Sequence, residues 1–223
     1  MTENRAGSLT RSLFLYAIIY GGMVVLGGVL GNKQVALGPL AVEAGIFPFL
    51  TLVALSSAVA ELHGQSTANR LVLWGFVPLI MSILLTLLVL SLPAAPAMEA
   101  ARLHAFEMIL GQSPRLMAAG IVAYGTSQLL NVTIFAALRG RAATGARTTW
   151  LAVRGAIASA LSQIVDTLLF VTIAFAGVFP IGQLLAGQML AKVVLSFIAI
   201  PFIITGLVAL GRQLDSGKGD FTL

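Results

Sequence analysis

Two ionisable side chains stand inside long apolar runs, Asp166 and Lys192. A charge at mid-bilayer costs about 2.5–3.5 kcal/mol on insertion scales, so such a residue faces a protein interior or a watery cavity. Asp166 lies ten residues from the outer end of its run and Lys192 twelve from the outer end of the next. At about 1.5 Å per residue those depths are roughly 15 and 18 Å, near enough to allow a pair. Arg154, one turn into the run that holds Asp166, either snorkels to the interface or joins the same interior. A repeat surrounds these groups. Ser127-Gln128-Leu129-Leu130-Asn131-Val132-Thr133-Ile134-Phe135 matches Ser162-Gln163-Ile164-Val165-Asp166-Thr167-Leu168-Leu169-Phe170 at an offset of 35 residues, and extending it backwards aligns Tyr124 with Ser159. The polar positions fall at i, i+3, i+4 and i+7, which puts all four of each copy on one helix face. Gln188, Lys192 and Ser196 form a third stripe at i, i+4, i+8.

The elements that hold these residues follow from composition. The 223 residues are 58% hydrophobic and 9% charged, with a mean hydropathy of +0.99. Soluble domains carry about a quarter of their residues as charges, so a soluble enzyme is excluded. The chain has no cysteine, which removes disulfides, thiolate metal sites and cysteine nucleophiles. At about 20 apolar residues per span, the length accommodates an all-α bundle of six transmembrane helices in a single integral membrane domain, 1–223. The spans read as 13–31, 46–60, 71–92, 116–138, 150–176 and 181–210, the last long enough to tilt or to break near Pro201. The first run is too long for a secretory signal core and lacks a small-x-small cleavage site, so it is expected to stay as a helix. Residues 32–45 read as a short connection, Glu61 to Arg70 as a polar turn, and 98–110 as an amphipathic helix on the bilayer surface. The third span, almost pure hydrocarbon, is expected to face lipid, and the tail from Gly211 reads as polar and mobile. Because the fourth and fifth spans are consecutive they cross in opposite directions, so the repeat is inverted. Gln128 and Gln163 each fall about 20 Å along their helix, near the midplane.

Six spans put both termini on one side. That side carries eight basic residues, Arg5, Arg11, Arg70, Arg139, Arg141, Arg147, Arg212 and Lys218, against Lys33, Arg102 and Arg115 on the other. The asymmetry predicts cytoplasmic termini, and it accounts for the formal charge of +5 without a nucleic-acid partner.

Inverted repeats whose polar groups meet at the midplane are a device by which secondary transporters build a site reachable from either side. Interhelical adhesion alone, worth about 0.6 kcal/mol per hydrogen bond, explains one or two such residues. Amides, hydroxyls and one or two carboxylates, without a phosphate-cradling loop or an arginine cluster, suit a small planar hydrogen-bonding heterocycle. Phe135, Phe170, Phe175, Trp74 and Trp150 offer stacking faces. The expected substrate-binding residues are Gln128, Asn131, Ser159, Gln163, Asp166, Arg154, Lys192 and Tyr124. Glu61 with Ser57 at i, i+4, and Asn32 with Lys33, are candidates for a coupling or gating role. No metal site and no cofactor is expected. An intramembrane enzyme finds no support, since the two histidines, His63 and His104, fall in the connections between spans and no His-Glu-x-x-His or Gly-x-Ser-x-Gly motif occurs. Gly27-x-x-x-Gly31 is compatible with close helix packing, and so small a bundle is compatible with a homodimer.

These residues carry a resemblance. Asn32-Lys33, Phe47-Pro48, Glu61-x-x-Gly64, Pro114-Arg115 leading to Ala123-Tyr124, the two Ser-Gln repeats, Trp150-Leu151-x-x-Arg154 with Ser159, and Lys192 ahead of Pro201 together resemble the queuosine-precursor transporter family, over nearly the whole chain. Where that family commonly has Thr-Asp this chain has Ser56-Ser57, and where it has a tyrosine before the glycine this chain has His63. It has aspartate in both repeats, and this chain has Asn131 in the first. The resemblance implies import of a 7-deazaguanine base, such as 7-cyano- or 7-aminomethyl-7-deazaguanine, across a bacterial inner membrane by secondary transport, with proton linkage through Asp166 or Glu61. The alternative it leaves open is the substrate-capture subunit of an ATP-driven energy-coupling importer.

Overall fold

The computed structural model describes residues 10–38, 40–111, 114–139, 147–178 and 180–216. Arg5, Arg141 and Lys218, used in the charge count, lie outside them. The elements run α1 (Arg11–Leu30), β1 (Gln34–Leu37), β2 (Leu40–Glu43), α2 (Ile46–His63), α3 (Gln65–Trp74), α4 (Phe76–Ser91), α5 (Ala100–Leu110), α6 (Pro114–Ala137), α7 (Arg147–Phe175) and α8 (Gly182–Ser216). Six stretches are long and apolar enough to cross a membrane: α1, α2, α3 with α4, α6, α7 and α8. The protein is a multi-pass membrane helix bundle. At 11 residues, α5 reaches only about 17 Å and cannot span.

Four expectations need correction. First, the connection after α1 is an antiparallel hairpin in which Gln34 pairs with Glu43 and Leu37 with Leu40. Gly38 turns it at φ +61°, a conformation without steric cost only for glycine. Second, Glu61 to Arg70 is not a turn. α2 continues to His63, Gly64 at φ +87° re-aims the chain, and α3 begins at once. Third, the third span is two helices that meet at Gly75. A side chain there would be driven into the Tyr124 hydroxyl and to 2.8 Å from the Tyr20 ring. Fourth, the stretch after Gly211 continues α8 to Ser216, and 217–223 lie outside the described residues. α8 does not break at Pro201, which sits inside it.

The bundle is built around α2, whose residues Leu50 and Leu52 to Ala60 are all buried. Tyr16 and Tyr20 of α1, Val132 and Phe135 of α6, and Ile200 and Ile204 of α8 complete this core. α4 has no buried residue and presents Leu84, Leu85 and Leu88 outward, as expected of a lipid-facing helix.

Candidate functional site

A half-enclosed cavity of about 410 Å³ occupies one half of the bundle, within the range of small-molecule sites. The spanning helices wall it from the same end: α1 from Val24 onward, α2 up to Leu52, α4 from Leu79, α6 up to Tyr124, and α7 from Asp166, with Leu110 added by the end of α5. The hairpin closes the ring with Glu43, and Lys192 enters from the early turns of α8.

Asp166 and Lys192 meet as their depths predict, Lys192 Nζ donating to Asp166 Oδ2 at 3.0 Å. Ser127 donates to the other carboxylate oxygen at 3.2 Å, which ties the two repeat copies together. The Lys192 ammonium also stands 5.7 Å from the centre of the Phe49 ring, within cation–π range. Glu43 accepts from Gln188 Nε2 at 3.2 Å on one oxygen. Burial pushes its carboxyl above the ordinary glutamate range; Lys192 and the Gln188 hydrogen bond pull it back, and the Asp166 charge raises it further. Phe170 and Phe175 line the same cavity edge to face at 6.1 Å. The Tyr124 hydroxyl sits 3.1 Å from that of Tyr20 and 3.2 Å from the Val72 carbonyl.

The other expected residues fall elsewhere. Asn131 Nδ2 donates to Ser57 Oγ at 3.0 Å and to Ser56 Oγ at 3.1 Å, and Ser56 donates to Gln128 Oε1 at 3.3 Å. Gln128 and Asn131 of the first repeat copy thus face α2, and Asp166 of the second faces α8. Ser57 pairs with Asn131 across the bundle, not with Glu61 along its own helix. Ser159 and Ser196 share a 2.8 Å hydrogen bond between α7 and α8. Gln128 and Gln163 are fully buried and are not on the cavity wall. Both carboxamide atoms of Gln163, Nε2 of Gln128, Oδ1 of Asn131 and the hydroxyl of Thr167 have no hydrogen-bond partner among the described residues. These groups are buried off the cavity wall, where a polar atom left without any partner costs about 1–3 kcal/mol.

The opposite end of the bundle is tied shut. Arg154 does not snorkel; it is buried, ion-paired with Glu61, and stacked 4.1 Å over Phe135. Arg139 adds a second contact to Glu61 at 3.8 Å. Ser12 of α1 donates to Asp215 of α8 through both its backbone N–H, at 3.0 Å, and its hydroxyl, at 2.7 Å. His63 of α2 stands 2.8 Å from the same hydroxyl, and Tyr16 donates to the Leu207 carbonyl. Of the remaining candidates, Asn32 lines the cavity mouth while bonding back to Gly28 and Val29, and Lys33 is exposed. Trp74 is exposed and Trp150 bonds the Leu138 carbonyl, so neither stacks in the cavity; Phe135 is covered by Arg154. Sequence reasoning missed Glu43, Phe49 and the Ser12–His63–Asp215 cluster.

One end of the bundle thus holds the cavity, with Glu43, Asp166 and Lys192 on its wall, and the other end is held together by ion pairs and hydrogen bonds. Residues 43–206 match the family described as "Putative vitamin uptake transporter". The chain belongs to this transporter family. Over 151 residues, 66% of the chain, it is 32% identical to the "Probable queuosine precursor transporter" of Bacillus subtilis (strain 168). The match spans 62% of that relative's length. No solved structure matches the chain. The matched region takes in every residue of the cavity wall except those of α1 and the Gly31-Asn32 turn that follows it.

Proposed function

We propose that the chain imports a 7-deazaguanine precursor of queuosine by alternating access, with both termini cytoplasmic and the cavity therefore open to the outside. The observation that carries this reading is the asymmetry along the bundle: a cavity holding Asp166, Lys192 and Glu43 at one end, and the Glu61–Arg154 and Ser12–Asp215 ties at the other. A 2-amino-6-oxo ring edge presents two donors beside one acceptor. The Asp166 carboxylate accepts from the two donors, Lys192 donates to the carbonyl, and Phe170 or Phe49 covers the ring face. The name of the Bacillus relative supports this choice of cargo. Gln128 Nε2 and the Gln163 amide, without partners among the described residues, lie between cavity and seal, where a cargo moving inward gives them partners.

The test is uptake by the purified chain alone in liposomes, with tritiated 7-cyano- and 7-aminomethyl-7-deazaguanine. Saturable uptake that the unlabelled base competes away, with no ATPase partner added, is the expected result. Binding without uptake converts the reading to a capture subunit, and neither binding nor uptake removes it.

A further inference from the structure

The charges on the cavity wall do not balance. Among its described lining residues two are carboxylates, Glu43 and Asp166, and one is an ammonium, Lys192. Asp166 is the satisfied carboxylate, with Lys192 at 3.0 Å on one oxygen and Ser127 on the other. Glu43 receives one neutral amide, from Gln188, on one oxygen. Its cross-strand neighbour, Gln34, is neutral. The charged groups that bear on it are Lys192 from α8 and Asp166 from α7, and they are engaged with each other. A half-buried carboxylate on a cavity wall, beside an ion pair that is already complete, has room for one more positive charge.

Resting on the function proposed above, we infer that Glu43 is a specificity-determining residue that selects a cargo bearing an ammonium group, the 7-aminomethyl base, over the neutral 7-cyano base. The two cargoes share a ring edge and differ at one substituent. A primary alkylamine is protonated at neutral pH, and a charge-assisted hydrogen bond to a carboxylate in a half-enclosed site is among the stronger single polar contacts. The nitrile offers an acceptor only, which a carboxylate repels.

The experiment is competition between the two bases for uptake by proteoliposomes of the full chain, in wild type and in Glu43→Gln, at external pH 7.5 and 5.5. Wild type is expected to prefer the aminomethyl base, and Glu43→Gln to lower the aminomethyl-to-cyano ratio about tenfold or more. The wild-type preference should shrink at the lower pH, as a proton takes the place of the ammonium. A wild-type ratio at or below one overturns the inference without any reliance on the variant. A ratio unchanged in a Glu43→Gln protein that elutes as a monodisperse peak overturns it as well. If that variant instead abolishes the pH dependence with the ratio intact, the charge taken is a proton and cargo selection by Glu43 is refuted. Uptake of neither base overturns the proposed function, and this inference with it.

Discussion

Asn131 Nδ2 lies 3.0 Å from Ser57 Oγ, so two positions at which this chain departs from the pattern it resembles touch each other. Two carboxylates at that distance share a proton or repel. A carboxamide donating to a hydroxyl does neither, and the pair leaves the α2–α6 contact neutral. The interior ion pairs among the described spans are then Asp166–Lys192 between α7 and α8 and Arg154–Glu61 between α7 and the end of α2. Asn131→Asp is expected to fold, because Ser56 and Ser57 both offer hydroxyls that can turn to donate, and to make uptake pH-dependent near neutrality. A pH profile superimposable on wild type removes this account of the substitution.

The Asp166–Lys192 pair separates site from scaffold. Removing one partner leaves a buried uncompensated charge, a loss of about 3–5 kcal/mol. Asp166→Asn should therefore unfold at lower temperature, and the double variant Asp166→Asn with Lys192→Met should recover most of that stability. Neither is expected to transport. Recovery of uptake together with stability in the double variant reduces the pair to a structural strut.

Gln163 is predicted to be held for the sake of another conformation. Both its carboxamide atoms lack a partner among the described residues, so Gln163→Met should raise thermal stability, by about 1–3 kcal/mol, and cut uptake strongly. A stabilised variant with full transport shows that the amide serves no step of the cycle.

The seal at the terminal end hinges on Glu61. Because the chain contains no cysteine, a single introduced thiol reports without background. Ser162→Cys, fully buried in the described state, should label slowly, and much faster when combined with Glu61→Gln, as loss of the Arg154 ion pair favours opening. Equal labelling rates in the two backgrounds count against a gate.

Burial raises Glu43 above its ordinary range, and the sign for stability follows. The neutral form fits the fold better, so this contribution is fully present below the unfolded-state value and is lost as pH rises through the folded-state value. Glu43→Gln should gain stability relative to wild type at pH 7.5 and show little difference at pH 4. Melting temperatures across that range, in one detergent, check it.

The six spans were legible because the hydrocarbon core imposes a length and a composition on each, and the Asp166–Lys192 contact was legible because depth along a helix is simple arithmetic. The hairpin was harder. Gln34-Val35-Ala36-Leu37 and Leu40-Ala41-Val42-Glu43 are four-residue runs around Gly38-Pro39, a length at which alternation barely stands out from a loop. Reading them as a connection hid Glu43, which is brought beside Gln188 by a contact 145 positions apart in the chain. The repeat placed its polar residues on one face correctly but could not say what that face meets. A face of three or four positions spans two neighbours, so Asn131 and Gln128 went to α2 while Asp166 went to α8. The ends of α2 and α3 were misread because glutamate, histidine and glutamine suit a turn as well as a helix end, and only Gly64 marks the break.

The central claim is that the cavity walled by Asp166 receives the cargo from outside. Ser82 lines it from α4, clear of the polar cluster, so Ser82→Cys in right-side-out vesicles reads it directly with a membrane-impermeant thiol reagent. The account predicts labelling from the outside in the absence of cargo and protection by saturating 7-deazaguanine base. A thiol that labels only from the inside, or that labels equally with and without the base, contradicts it.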